Sequence, residues 1–151
     1  MKSYWPGGDG HWTTAPKYPR LILIVDNIAP LDWAHWQRSR DKAIDWWLAC
    51  KADIRLSVTH SKEAFSPGTI TFYENEDTGP YGWYDPEGRY GYVSMARGDQ
   101  DAPTVAHEIG HALGFGHTGI KDSIMSQWNI WTRDGVGKVD ARGLRRYYGG
   151  K

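Results

Sequence analysis

Three of the six histidines in this chain fall inside one stretch of eleven residues: His107-Glu108-Ile109-Gly110-His111-Ala112-Leu113-Gly114-Phe115-Gly116-His117. On a helix, His107 and His111 project about 40° apart and ~6 Å along one face, close enough for both imidazoles to meet one ion. His117 cannot join them on the same helix, because it would sit ~15 Å up the axis and about 80° off the face. The chain must therefore leave the helix and fold back. Gly114 supplies the backbone for that turn, since glycine visits positive φ without steric cost, and Gly116 loosens the same segment. Val105, Ile109, Ala112 and Leu113 fall on the opposite face, so the helix is expected to be buried behind and polar in front.

Three neutral imidazoles leave a zinc ion its full charge and an open fourth position, the catalytic rather than the closed structural arrangement. Glu108 lies about 100° from His107, at the border of the two faces. It can reach a water on the metal without being a close ligand. The metal activates the water and polarises a carbonyl, while a carboxylate one hydrogen bond away serves as general base. The competing reading is a structural zinc clip or a satisfied histidine cluster; a buried clip has no use for Glu108 or for an open coordination position.

The rest of the chain limits the class of protein. Eighteen basic and eighteen acidic residues give no net charge, which argues against a non-specific nucleic-acid binder and against a polybasic membrane-surface protein. The apolar run Leu21-Ile22-Leu23-Ile24-Val25 is far short of a membrane span, and the start has no apolar core of a secretory signal, so a soluble chain of unassigned compartment is expected. One cysteine, Cys50, excludes an intrachain disulfide and reads as a small buried apolar residue. Nine Trp and nine Tyr against three Phe mark an unusual aromatic content.

Residues 1–20 read as an aromatic, Gly- and Pro-rich arm packed on one domain, 21–151. Within that domain, Leu21 to Val25 reads as a buried strand. Pro30 and Asp32 open a helix running to Cys50, with Trp33, Trp36, Ile44, Trp47 and Leu48 on its apolar stripe and Trp46 partly exposed. Residues 54–59, 69–73, 81–84 and 92–95 read as further strands, the third a short edge strand. Pro103 to Leu113 forms a second helix with Asp101 as cap, 114–137 a long loop, and Lys138 to Tyr148 a third helix stopped by Gly149-Gly150. The mixture predicts an α/β (α+β) fold.

The histidine stretch resembles the metzincin zinc-peptidase signature. Ser123-Ile124-Met125-Ser126 resembles that family's Met-turn, which places Met125 beneath the metal as packing rather than ligand. Within the metzincins the stretch from Ala106 to His117 most resembles the matrixins. So do Ala52-Asp53-Ile54, a strand start, and Val139 to Gly149, the C-terminal helix. The resemblance implies a twisted five-stranded, mostly parallel sheet with one antiparallel edge strand, a backing helix, an active-site helix and a C-terminal helix. It also implies that peptide or protein substrate adds to an upper edge strand, here Tyr81, Gly82 and Trp83. The pocket for the residue after the cut would be walled by the loop carrying Gln127, Trp128 and Trp131.

The chain departs from the family at Ser126-Gln127, where matrixins usually have Tyr-Pro and astacins place a tyrosine at the position of Gln127. An astacin-type tyrosine ligand is therefore absent. Residues 1–20, before the domain, carry no cysteine-switch motif, so matrixin-style latency is not expected. His11, His35 and His60 lack ligand spacing, which argues against a second zinc. Glu74, Glu76, Asp77, Asp85, Asp99 and Asp101 offer calcium-type oxygens, although acidic loops are commonly just solvated.

The expectation is a monomeric zinc-dependent endopeptidase with His107, His111 and His117 as ligands and Glu108 as base. Two rivals are carried. One is a zinc-stapled module recognising protein or glycan through exposed aromatics. The other is amide hydrolysis on a cell-wall peptide.

Overall fold

The computed structural model describes residues 18–75, 80–96, 100–127 and 133–150. The N-terminal arm up to residue 17, Trp128 and Trp131, and the acidic residues Glu76, Asp77 and Asp99 lie outside the described residues.

Five strands form one sheet: β1 (Leu21–Asn27), β2 (Arg55–Thr59), β3 (Thr69–Glu74), β4 (Tyr81–Asp85) and β5 (Tyr90–Met95), in the order β2-β1-β3-β5-β4. The β1–β2, β1–β3 and β3–β5 pairs are parallel and β4–β5 is antiparallel, with Gly82 opposite Val93. β1 is the short β-branched run that the sequence marks, and β2 and β3 are the segments in which apolar and polar residues alternate. β1 extends two residues beyond the apolar run, through Asp26 and Asn27.

Helices α1 (Trp33–Leu48) and α2 (Ala102–Ala112) pack on the sheet and on each other, and α3 (Lys138–Tyr148) closes the described chain. Asp32 accepts the His35 N–H at the start of α1, and Asp101 accepts the Thr104 N–H at the start of α2. The core joins Ile22, Ile24, Ile70, Phe72, Val93 and Met95 of the sheet to Trp36, Trp47, Val105 and Ile109 of the helices. Trp36 and Phe72 meet edge to face with ring centres 5.0 Å apart.

The buried stripe of α1 differs from the expected one. It consists of Trp36, Ser39, Arg40, Ala43, Ile44 and Trp47. Trp33 and Leu48, expected on that stripe, are 48% and 38% exposed. They are the first and last residues of the helix, and the buried positions all lie in the turns between them. Arg40 takes a place in the stripe because its guanidinium pairs with Asp26 at the end of β1, each side chain less than a tenth exposed. Trp46 is half-buried, as expected, with the Lys42 ammonium over its ring. Cys50 is buried, and burial pushes its thiol up to about 12, which keeps it protonated.

The face of the sheet turned away from α2 carries a different cluster. Phe65, in left-handed conformation, lies edge-on to Tyr73, Tyr90 and Tyr92, and the Tyr73 and Tyr81 hydroxyls hydrogen-bond at 2.5 Å. Among the described residues no helix is long and apolar enough to cross a membrane.

Removing one partner of the Asp26–Arg40 pair leaves a buried charge uncompensated. Asp26→Ala is expected to cost about 3 kcal/mol of stability, the low end for a buried pair because Asp41 still contacts Arg40. Urea denaturation measures this; a loss below about 1 kcal/mol would show that the pair does not hold β1 to α1.

Candidate metal centre

The last turn of α2 determines the site. Gly114 follows the helix with φ of 106°, a left-handed conformation. Its N–H donates to the His111 carbonyl at 3.0 Å, and the Phe115 N–H donates to the Gly110 carbonyl at 3.0 Å. These two bonds are the Schellman pattern, which ends a helix and satisfies its last carbonyls. Phe115 is then driven into the core, stacked on Trp47 and tilted against Tyr147. Two tyrosines cap the remaining carbonyls: the Tyr18 hydroxyl donates to Ala112 at 2.7 Å and the Tyr148 hydroxyl to Leu113 at 2.5 Å.

With the chain reversed at Gly114, the structure brings His107, His111 and His117 together. One ring nitrogen from each lies within 4.8 Å of the others. The Nε2 of His117 is 3.2 Å from the Nε2 of both His107 and His111. Among the described residues no other group of three His, Cys, Asp or Glu side chains converges in this way.

The far nitrogens are fixed by backbone carbonyls. His107 Nδ1 donates to the Ile124 carbonyl at 2.6 Å, and His111 Nδ1 donates to the Phe115 carbonyl at 2.7 Å. A carbonyl only accepts, so Nδ1 carries the proton, and in a neutral ring Nε2 then presents its lone pair to the centre. Burial drives His107 down to about 4, so this ring is neutral at ordinary pH. Lone pairs aimed at one point are the donor set of a metal ion, and the residues present fit one.

The Ile124 carbonyl is itself held by α3. Asp140 is fully buried and its carboxylate accepts from the Ser123 hydroxyl at 2.5 Å and from the Ile124 and Gly137 N–H groups at 2.8 Å each. Ser123 passes the order on, its hydroxyl accepting the Met125 N–H at 2.9 Å. Met125 is buried, with its sulfur against Gly110 of α2. Gly110 thus has a packing reason that the sequence pattern left unexplained: a Cβ there would overlap the Met125 sulfur and meet the Trp47 ring at 3.0 Å.

Glu108 is buried beside the histidines, and burial pushes its carboxyl up to about 8, resisted by a hydrogen bond from the Gly82 N–H. That bond joins β4 to α2. Gly82 lies so close that a Cβ would overlap the Glu108 backbone carbonyl oxygen and sit 3.1 Å from the His111 Cβ.

Of the other expected cleft residues, Tyr81 turns its ring away from α2, onto Tyr92 and Tyr73, and Trp83 is half-buried on the same strand. Gln127 is exposed and its amide nitrogen lies 3.0 Å from His117 Nδ1. The acidic residues expected as calcium candidates are occupied locally where described. Asp85 accepts two turn N–H groups, Asp101 caps α2, and Glu74 accepts the Ala29 N–H.

A family model described as matrixin matches residues 71–149, just over half of the chain, from within β3 through α3. Matrix metalloproteinase-A of Caenorhabditis elegans is 43% identical over 47 residues, which is 31% of this chain and 9% of that protein. The chain therefore aligns with only a small part of that relative's length.

The close approach at Gly82 gives a mutational expectation. Gly82→Ala forces backbone apart from backbone and is expected to destabilise by about 2–3 kcal/mol, while Gly110→Ala presses on side chains alone, the Met125 thioether and the edge of the Trp47 ring, and is expected to cost less. Thermal and denaturant unfolding of the two variants side by side test the order; equal or reversed costs would contradict it.

Proposed function

The chain belongs to the matrixin family, and on that premise we propose that it is a zinc-dependent endopeptidase. The observation that carries the reading is the convergence of three imidazole Nε2 atoms beside a buried carboxylate. His107, His111 and His117 would hold the ion, with Met125 packed beneath them as in a Met-turn. When bound, zinc supplies Lewis acidity, polarising the scissile carbonyl and making water nucleophilic at neutral pH.

The chain's own residues supply the proton path and the substrate geometry. Glu108 accepts the proton of the water that attacks the carbonyl carbon, and holds it on a carboxylate oxygen. It then donates that proton to the amide nitrogen as the C–N bond breaks. A cation held between the histidines favours the ionised, base-competent form of Glu108 against the burial that disfavours it. Protein or peptide substrate adds as a further strand along β4, the outer strand of the sheet, at Tyr81, Gly82 and Trp83. Gln127, Trp128 and Trp131 are proposed to wall an apolar pocket for the residue after the cut, and the arm up to residue 20 to pack on the single domain that follows.

A second reading rests on the tyrosine-rich outer face of the sheet, where Phe65 meets Tyr73, Tyr90 and Tyr92. Here the metal is a staple and the aromatic face binds protein or glycan.

One digest separates the two. The peptidase reading expects cleavage of a mixed peptide library, loss of cleavage with a chelator and recovery with zinc, all read by mass spectrometry. Glu108→Gln should keep one zinc per chain and lose at least about a hundredfold in rate. Cleavage that persists in chelator, or full activity in Glu108→Gln, would overturn the mechanism. One zinc per chain with no cleavage would favour the second reading.

A further inference from the structure

The three ligand rings are not supported alike. His107 and His111 each give Nδ1 to a backbone carbonyl inside the fold. Those acceptors cannot be changed by substitution. His117 is half-buried, and its Nδ1 meets an exposed side chain, the Gln127 amide, at 3.0 Å. We infer that Gln127 is the positioning residue for His117, setting which nitrogen of that ring carries the proton and so whether the Nε2 that faces the centre is bare. This inference rests on reading the three histidines as the ligands.

A glutamine suits this place because its amide can serve either tautomer. With the amide nitrogen toward His117, it donates to a bare Nδ1, and His117 carries its proton on Nε2. That proton then points at the lone pairs of His107 and His111, each 3.2 Å away, so three imidazoles share one hydrogen bond donor. Turning the amide over about its last torsion puts Oε1 in the same place. It now accepts Nδ1–H, and the Nε2 of His117 is left bare, as a ligand must be. Ion and shared proton thus exclude each other, and the amide follows the exchange without moving the chain. The neighbouring Thr118–Ser126 bridge, with the Thr118 N–H on the Met125 carbonyl at 3.1 Å, holds the His117 and Gln127 segments side by side. Glutamate at 127 could only accept, favouring the ligand tautomer. Methionine would fill the same volume and do neither.

The test uses the full chain with zinc or cobalt(II). Zinc affinity is measured by chelator competition, and the cobalt form by its visible absorption, which reports ligand geometry independently of catalysis. Q127M is expected to bind zinc about tenfold more weakly and to shift the cobalt bands, with an unchanged melting temperature of the metal-free chain. Q127E is expected to keep both wild-type affinity and wild-type bands. Wild-type affinity and spectrum in Q127M would overturn the inference and leave the peptidase reading standing. Equal losses in Q127M and Q127E would overturn the acceptor role. Failure of the wild-type chain to bind zinc or cobalt would remove the metal reading itself, and the inference with it.

Discussion

The reversal of the chain at Gly114 is the constraint on which the centre depends. Without it His117 would continue up the helix, away from the other two histidines. With it, one turn does three things. It satisfies the last carbonyls of α2, it drives Phe115 between Trp47 and Tyr147, and it presents the Phe115 carbonyl to His111. The third ring comes back to the first two because the hydrophobic anchor and the glycine conformation agree. A side chain with a Cβ would strain the left-handed backbone at that point.

The remaining order reaches the centre from distant parts of the chain. Asp140 of α3 gathers Ser123, Ile124 and Gly137, and the Ile124 carbonyl fixes His107. Burial raises the Asp140 carboxyl, and its three donors oppose that shift. A buried polar network of this kind is tolerable only when its members are satisfied, and the oxygens of Asp140 are. From the other side, Gly82 of β4 ties the sheet edge to Glu108. The edge on which a peptide would be laid and the carboxylate that would act on it are therefore held by one hydrogen bond.

Much of this was legible in the chain. β1 is legible as a short β-branched run, β2 and β3 by alternation, and α2 by its capping aspartate and apolar rear face. The buried stripe of α1 departs from its periodicity at Trp33 and Leu48, which are exposed, and gains Arg40. Periodicity assigns faces by polarity, and Arg40 is buried only because Asp26, fourteen positions earlier, waits at the end of β1. The family resemblance puts Tyr81, Gly82 and Trp83 on an edge strand and says nothing of which face each side chain takes. Alternation along β4 gives Gly82 to α2 and the Tyr81 ring to the opposite face.

The sequence by itself determined which residues can meet a metal. Helical spacing brings two histidines together, a glycine permits the turn, and a neighbouring carboxylate stands at the border of the face, all within eleven positions. Only the tertiary structure decided how those rings are aimed. The partners of their far nitrogens are Ile124, Phe115 and Gln127. Ile124 and Gln127 lie ten or more positions from the rings they touch, and two of the three act through backbone carbonyls that carry no residue identity. Spacing is a local property of one helix, whereas the direction of a lone pair is set by whatever the rest of the fold packs behind it.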